Sequence, residues 1–230
     1  LESLRIMHNY DGMNYFIEKL ERLSTSSSSF QLNVAYVIFI YRLFSYIDRG
    51  EFKQADEWIT ENQASLIDKT SLLKDQQQAV MLLYIALTHL GNGEFRKAKK
   101  KLAFIVGRGN FYPLSLFRTI RLVNLMIHYE LGDIDYIQSE TRSIKREMSK
   151  NKELNLKVEL FLLKFLNYSF TDDNRKSRMD IWKHLEDEVH ALYQDKYENQ
   201  ILRKFDFVAW VESKIREIPL SEILKGKRLS

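Results

Sequence analysis

Histidine is the residue type in this chain best suited to metal binding or proton transfer. The five histidines are His8, His89, His128, His184 and His190. His184 and Glu188 are four residues apart and share a helix face, whereas His190 points away from them. Because a zinc site generally needs three or four convergent ligands, we predict an exposed face with local ion pairs and no metal site. His89 and His128 each precede a glycine by four residues, so we expect them to pack near a turn.

Recognisable phosphate-binding and catalytic motifs are missing from the sequence. Gly91-Asn92-Gly93 has Arg96 where a dinucleotide-binding loop needs its third glycine, and it follows a predicted helix. Asp172-Asp173-Asn174 begins like a calcium loop, but Lys176 and Ser177 break the spacing, so we expect a helix-capping loop. No paired carboxylates and no activated nucleophile stand out. We predict that the chain is not an enzyme and binds no cofactor; catalysis would need residues that only the fold brings together.

Basic and amide side chains recur at helical spacing in two later segments. Four of them lie at i, i+3, i+6 and i+10 of one predicted helix. Three more follow in a later predicted helix, after residue 153. The candidate partner-binding residues are Arg118, Arg121, Asn124, His128, Lys157, Lys164 and Asn167. Such stripes can hold a carboxylate through charge-assisted hydrogen bonds. The alternative is that they are the hydrated side of their helices.

A second basic cluster lies immediately after Gly93. Its members are Arg96, Lys97, Lys99, Lys100 and Lys101. A solvated helix face is the simpler interpretation. Rows of lysine and arginine also neutralise nucleic-acid phosphates, so binding to a nucleic-acid backbone is the sharper alternative.

Helices must position these side chains, because helical periodicity is visible nearly throughout. The predicted helix pairs are residues 30–66, 74–107, 113–150 and 153–194. Residues 1–23 look like the remnant of an earlier pair, and Ser24–Ser29 is predicted to be a flexible loop. Residues 197–230 are predicted capping helices, in which Phe207, Trp210 and Ile215 cover the last pair. This gives an all-α chain of about 10 to 11 helices.

Three short segments repeat without gaps. They read GEFKQA from Gly50, GEFRKA from Gly93 and GDIDYI from Gly132, and the glycines are 43 and 39 residues apart. Glycine permits the left-handed turn that reverses a chain after a helix. We expect the apolar residue two places later to plug each hairpin and the alanine to allow close helix contact.

The turn resembles that of the tetratricopeptide repeat, which reads Gly-x-Tyr/Phe-x-x-Ala. The matching residues are Gly50, Phe52, Ala55, Gly93, Phe95 and Ala98, with Tyr46 at the aromatic position before the first turn. His89 and His128 replace that aromatic residue later, Ile137 replaces the alanine, and the fourth pair lacks the glycine. The resemblance implies a right-handed superhelical stack of antiparallel helix pairs. It also implies that the first helix of each pair lines a concave groove, where the candidate partner-binding residues would hold an acidic segment.

Composition agrees with a folded helical protein. The chain has 230 residues, of which 45% are hydrophobic and 29% charged, with 8 glycines, 2 prolines and no cysteine. So few turn residues argue against a β-sandwich. The longest apolar run, residues 34–47, contains Arg42 and several tyrosines, so we predict no membrane span. Because the chain begins at Leu1, we expect a fragment of a longer protein, and we place it in the cytoplasm.

The function predicted from sequence is a protein–protein interaction scaffold that binds a peptide or protein segment, an acidic one if the basic stripes are used. The alternative is a nucleic-acid-binding or peptide-sensing regulatory domain of a larger transcriptional or signalling protein. Nucleic acid is the less favoured partner, because the net charge of +4 permits an anionic partner but does not require one.

Overall fold

A computed structural model describes residues 1–23, 27–107, 112–150, 156–169 and 175–227. Every regular element in these ranges is a helix, which confirms the all-α prediction. Thirteen α-helices and one 3₁₀ helix are present there. The predicted capping loop at residues 172–174 and the side chain of His184 lie outside the described part.

The chain divides into two compact units, Leu1–Tyr112 and Pro113–Ser230. Unit 1 contains α1 (Glu2–Ile6), α2 (Tyr10–Glu21), α3 (Ser28–Asp48), α4 (Phe52–Glu61), the 3₁₀ helix (Ile67–Leu72), α5 (Asp75–Gly91) and α6 (Phe95–Val106). Unit 2 contains α7 (Leu114–Glu130), α8 (Ile134–Lys150), α9 (Lys157–Ser169), α10 (Arg175–Gln194), α11 (Lys196–Leu202), α12 (Phe207–Arg216) and α13 (Leu220–Lys227).

Helix α3 begins earlier than the sequence suggested. The Ser27 side chain accepts a hydrogen bond from the Phe30 amide at 3.4 Å, so Ser28 and Ser29 already belong to the helix. Serine is a favoured N-cap, because its oxygen satisfies an amide that has no partner within the helix. The end of the serine run is therefore a helix start and not a loop.

Three glycine turns join α3 to α4, α5 to α6 and α7 to α8. Gly50, Gly93 and Gly132 have φ angles of 69°, 75° and 71°. In each turn the glycine amide donates to the carbonyl three residues before it at 3.0 or 3.1 Å. The next amide donates to the carbonyl four residues before the glycine at 2.8 to 3.0 Å. This pair of bonds is the Schellman motif, and it confirms the predicted left-handed turns.

The packing inside these hairpins follows the prediction only in part. Phe52 is buried, but Ile134 at the corresponding position is 44% exposed and therefore does not fill its hairpin. Ala55 and Ala98 are fully buried, and Ile137 is buried in the alanine position. Phe52 also contacts the next hairpin, since a Cβ built on Gly91 would lie 2.2 Å from its ring.

The core of unit 1 is centred on α3 and α5. Residues 83–87 of α5 are almost completely buried, and α5 packs against α3, α4 and α6. The Trp58 indole donates to the Phe39 carbonyl at 3.2 Å, and the Arg42 guanidinium lies 4.8 Å from the Trp58 ring. Long α3 is therefore held on its C-terminal half by several neighbours.

The core of unit 2 ends in the predicted cap. Phe207, Trp210 and Ile215 are all at most 3% exposed, and α12 packs against α9 and α10. Trp210 contacts Tyr129 and Phe165 edge-on and donates to Glu130 at 2.9 Å. These three side chains are buried where α12 packs against α9 and α10.

Helix α3 also has the length and apolar composition that a membrane-spanning helix needs, and no other described helix does. A core helix of a folded domain can have the same length and apolar composition. Only 33% of the most apolar 18-residue window of α3 is buried in the structure. The other residues of α3 are half-buried, or exposed near its N-terminal end at positions 28–31, 33 and 35.

Candidate binding surfaces

Arg121, the centre of the predicted basic stripe, is held by its own hairpin. Its guanidinium binds Glu140, Glu147 at 2.6 Å and Ser143 at 3.1 Å, all on α8. Burial lowers the pKa of Arg121, but its bonds to Glu147 and Glu140 outweigh burial and raise it. Three of the five donors of this guanidinium are therefore already used within unit 2.

The other cations of the stripes also face carboxylates of unit 2. Arg118 lies 3.6 Å from Glu159, which is only 4% exposed. Lys157 binds Asp195 at 2.7 Å. Lys164 binds Glu188 at 2.6 Å.

Glu198 occupies the place that a foreign carboxylate would take. Its two oxygens accept from the amides of Lys157 at 2.7 Å and Val158 at 3.0 Å, at the N-terminus of α9. Free amides and the helix dipole make such an end an anion site. Here a side chain of α11 fills it.

Asn124 and His128 lie apart from these ion pairs, near the turn between α7 and α8. The Asn124 amide donates to the Tyr136 hydroxyl at 2.5 Å, and the His128 ring stacks on the Tyr136 ring at 3.7 Å. His128 Nδ1 is 2.8 Å from Asp133. Asn167 is exposed. The stripes thus share helix faces as predicted, but internal acidic groups neutralise their charges.

In the preceding hairpin His89 makes the same contact, between its ring and the carboxylate five residues later; we call this contact the histidine clasp. Its Nδ1 lies 2.8 Å from Glu94, just as His128 meets Asp133. An Asp56 oxygen lies 3.9 Å from the same nitrogen, so three side chains that could bind a metal converge there. The Lys97 ammonium binds the other Glu94 oxygen at 2.6 Å. The Lys97 ammonium already occupies this site, and among the described residues the His128–Asp133 pair has no third side chain that could bind a metal. Both pairs are therefore better explained as contacts that close their turns.

A more open surface lies on α3 and α5 in unit 1. Phe30, Asn33, Val34 and Val37 follow at i, i+3, i+4 and i+7, so they share one face of α3. Phe30 is 48% exposed, Asn33 is exposed and the two valines are half-buried. We call these four residues and Gln77 the α3/α5 surface, because the Gln77 amide donates to Asn33 at 3.2 Å. The surface offers apolar contact beside two amide groups.

A buried arginine lies further along the same face of α3. Arg5 of α1 donates to both oxygens of Asp48 at 2.7 and 2.8 Å. Its guanidinium lies 4.0 Å from the centre of the Phe44 ring and 5.7 Å from that of Tyr84. Burial lowers the pKa of Arg5, but Tyr84 and Asp48 outweigh burial and raise it well above its ordinary value. We call Asp48, Phe44 and Tyr84 the Arg5 pocket.

Tyrosines border the Arg5 pocket. Burial raises the pKa of Tyr36 and Tyr84, and together with the charge of Glu2 it raises the pKa of Tyr41 to about 12. The Tyr41 hydroxyl donates to Glu2 at 3.3 Å. At neutral pH these phenols are therefore hydrogen-bond donors and not anions.

Sequence reasoning missed both unit 1 features. A signal for Arg5 exists, because Leu1, Leu4 and Arg5 lie at i, i+3 and i+4, so a cation stands where an amphipathic helix needs an apolar residue. Nothing local points to Asp48 as its partner, since 43 residues separate them.

The basic cluster on α6 is exposed except for Lys101, which is half-buried. No acidic residue lies within the helix, and the cations are concentrated in its first half, where the helix dipole is already positive. Phe104, 63% exposed, follows Lys100 by four residues on the same side.

Comparison of the chain with models of protein families, with curated proteins and with solved structures found no match.

Proposed function

We propose that this chain is a non-catalytic interaction scaffold. In this proposal its helix hairpins stack as a right-handed, tetratricopeptide-like solenoid, and the α3/α5 surface holds a segment of another protein. Three Schellman turns at similar spacing support the repeat.

The observation that carries the proposal is the incomplete cover of α3. A helix this apolar is normally buried all round in a folded domain. Instead, Phe30 and its neighbours on one face reach solvent. Exposed apolar surface with polar groups at its edge is typical of protein interaction sites.

The amides of Asn33 and Gln77 fit an extended or helical segment. Each amide side chain offers both a donor and an acceptor, which matches the polar groups of a peptide backbone. Besides their mutual bond at 3.2 Å, Asn33 donates to the Ser29 carbonyl at 2.8 Å and Gln77 accepts from the Lys74 amide at 3.1 Å. Each amide side chain therefore keeps one N–H and one oxygen lone pair for a ligand. We therefore place the partner on unit 1 and do not require it to be acidic, because the unit 2 stripes already have acidic partners.

The test is selection of peptides from a displayed random library on the whole chain, followed by affinity measurement by fluorescence anisotropy. Phe30→Glu with Val37→Glu should weaken binding of the selected peptides by about tenfold or more, as expected when contacts at the centre of an interface are lost. Phe104→Glu is the matched control, because it places the same charge on a similarly exposed apolar residue of α6. Equal binding to all variants would contradict the proposal.

A second candidate function rests on α6. Within the part of the chain that the structure describes, Arg96 and Lys100 form no ion pair. They are four residues apart, about 6 Å along α6, so both lie on one side of the helix and could contact phosphates of the same strand. A nucleic-acid backbone is therefore the ligand that would suit this face.

The second candidate predicts a steep salt dependence for binding of generic duplex DNA or single-stranded RNA. Arg96→Gln with Lys100→Gln should reduce the slope of log K against log salt by about 2, which is about one per lost phosphate contact. Lys53→Gln with Lys74→Gln removes the same charge from exposed sites elsewhere in unit 1 and should leave the slope almost unchanged. Equal effects of the two pairs would leave only a non-specific charge effect.

A further inference from the structure

The Arg5 pocket has the features of a binding site for arginine. Among the described residues, Arg5 is the most buried lysine or arginine, at 5% exposure. Asp48 accepts both prongs of the guanidinium fork, and Phe44 lies under its plane at 4.0 Å. A carboxylate fork and an aromatic face together select arginine over lysine.

Besides Arg5, few contacts hold α1 in place, and the one other side-chain hydrogen bond described for the helix is that from Tyr41 to Glu2 at 3.3 Å. The helix has five residues. Its Leu1 and Leu4 are only partly buried against the small core of α2, and Ile6 is 38% exposed. A segment with so little buried surface lies at the low-stability end of a fold.

The link between α1 and α2 is strained. His8 has a φ angle of 54°, in the left-handed region that non-glycine residues avoid. Its Nδ1 lies 3.1 Å from the Tyr10 hydroxyl, the one side-chain contact described for its ring nitrogens. Release of α1 would relieve this backbone strain.

A merely structural anchor would not need this chemistry. A buried ion pair holds a helix no better than an apolar side chain of similar volume, because both charges must leave water. What the pocket adds is recognition of one chemical group. Asp48 keeps 19% of its side chain exposed, so the pocket also has an opening to solvent.

The pocket lies on the same face of α3 as the α3/α5 surface. Val37 and Phe44 are seven residues apart and therefore share a face, with a separation along α3 of about 10 Å. Asp48 follows one turn later on that face. A bound segment of a few residues could reach both.

We propose that Asp48, Phe44 and Tyr84 form an arginine-recognition pocket that α1 fills in cis through Arg5. The partner of the α3/α5 surface then carries an arginine beside apolar residues, as Leu4-Arg5-Ile6 does, and displaces α1 when it binds. This inference rests on the proposed function and names the chemistry of its ligand.

The first experiment empties the pocket in the full chain with Arg5→Ala. Thermal unfolding is followed with increasing N-acetyl-argininamide, and N-acetyl-lysinamide serves as the comparison. A ligand that binds only the folded state raises the unfolding temperature. We expect the arginine probe to raise the unfolding temperature of Arg5→Ala, the lysine probe to raise it far less, and wild type to respond to neither.

Two further variants make the result specific. Adding Asp48→Asn to Arg5→Ala should abolish the response. Arg42→Ala is the matched control, because Arg42 also pairs with a carboxylate, at 2.6 Å, and lies over an aromatic ring, but it is more exposed. The inference would be overturned if Arg5→Ala is folded and the arginine probe does not raise its unfolding temperature. An equal rise in the unfolding temperature of Arg42→Ala would also overturn it.

A second measurement needs no variant and decides the matter if Arg5→Ala does not fold. An excess of an end-capped peptide with the sequence of residues 1–8 is added to wild type, and hydrogen exchange is followed in α1. Faster exchange of the α1 amides is expected, and no change with a peptide that carries citrulline in place of arginine. Unchanged exchange with the arginine peptide contradicts displacement.

The two proposals fail in different ways. The selected peptides could depend on Phe30 and Val37 but lack arginine and leave α1 in place. That result would contradict the arginine pocket and leave the α3/α5 surface as a binding site. Arginine-dependent release of α1 with no peptide dependent on Phe30 and Val37 would remove the α3/α5 surface and keep the pocket.

Discussion

Gly91 shows at the scale of one residue how closely two hairpins of unit 1 approach each other. The position has no side chain, and the Phe52 ring fills the space where a Cβ would stand, 2.2 to 2.4 Å away. The adjacent Asn92 amide donates to the Phe52 carbonyl at 3.0 Å. The contact joins the start of α4 to the end of α5 and leaves no room for a methyl group.

We therefore expect Gly91→Ala to destabilise the chain by about 1–3 kcal/mol, the usual cost of overpacking a tight contact. The free energy of unfolding from urea titration measures it. Gly107→Ala is the control in the same unit, since nothing lies near its Cβ position, and it should be neutral or stabilising by up to about 1 kcal/mol. A similar loss in both variants would show that the Phe52 contact is not the cause.

Two carboxylates of unit 2 should respond to pH in opposite directions. Burial raises the pKa of Glu159 above its usual 4.5 against the opposing charges of Arg118 and Arg121. Hydrogen bonds from Lys157 and from the amides of Tyr197 and Glu198 lower the pKa of Asp195 below its usual 3.8. The folded state thus favours the protonated form of one group and the ionised form of the other.

For Glu159 the folded state binds the proton more tightly than the unfolded state, so stability falls as pH rises from 4.5 through the raised pKa. We expect Glu159→Gln to be more stable than wild type above that pKa, with the difference vanishing below pH 4.5. Urea midpoints across pH measure it. A Glu159→Gln variant less stable than wild type at neutral pH would show that the Arg118 ion pair outweighs burial.

Asp195→Asn is the opposite case. The ionised form contributes stability above pH 3.8, and that contribution is lost as pH falls through the lowered pKa. The variant should be less stable than wild type at neutral pH and equal to it in strong acid. The same urea series checks this, and an equal deficit at every pH would indicate lost capping of α11 and no linkage.

Single residues also show where sequence reasoning stops. The spacing of Arg118, Arg121 and His128 places them correctly on one face of α7, because that depends on helical period alone. Their partners come from the turn after α7, from α8 and from α9, up to 41 residues away in Arg118–Glu159. Pairings over such distances are set by tertiary packing, so a stripe that looked basic is neutral.

At the scale of elements, the glycine turns were the most predictable feature. A positive φ after a helix strongly favours glycine, so Gly50, Gly93 and Gly132 mark the turns in the sequence. The histidine clasp at two of these turns was only partly foreseen, because spacing placed His89 and His128 near the turn but did not reveal their acidic partners. The start of α3 was missed because serine suits both loops and caps.

Gly93 and Gly132 should therefore tolerate asparagine better than alanine. Alanine in the left-handed region costs about 1–2 kcal/mol, whereas asparagine adopts it more readily. Nothing crowds either Cβ position, so the effect should come from the backbone alone. Urea unfolding of both substitutions at each glycine checks this, and equal costs for alanine and asparagine would point to another cause.

At the scale of the whole molecule, the all-α class was readable from few glycines, few prolines and sustained helical period. The division after Tyr112 was not, because no shift in composition marks it. Burial is also uneven within unit 1, from completely buried positions in the middle of α5 to the exposed end of α1.

Native hydrogen exchange should reflect this unevenness. Amides of residues 83–87 should be among the slowest to exchange, and those of α1 should exchange fastest among the helices of unit 1. Mass spectrometry after proteolysis resolves both segments. Protection of α1 equal to that of α5 would mean that Arg5 fixes the helix permanently, which would weaken the case for displacement.

Trp58, which donates to the Phe39 carbonyl of α3, gives unit 1 a built-in optical reporter. The other two tryptophans, Trp182 and Trp210, belong to unit 2. Replacing both with phenylalanine would leave an emission spectrum that comes from the indole resting on α3. Ligand docking on that helix could then be followed in solution without attaching a dye.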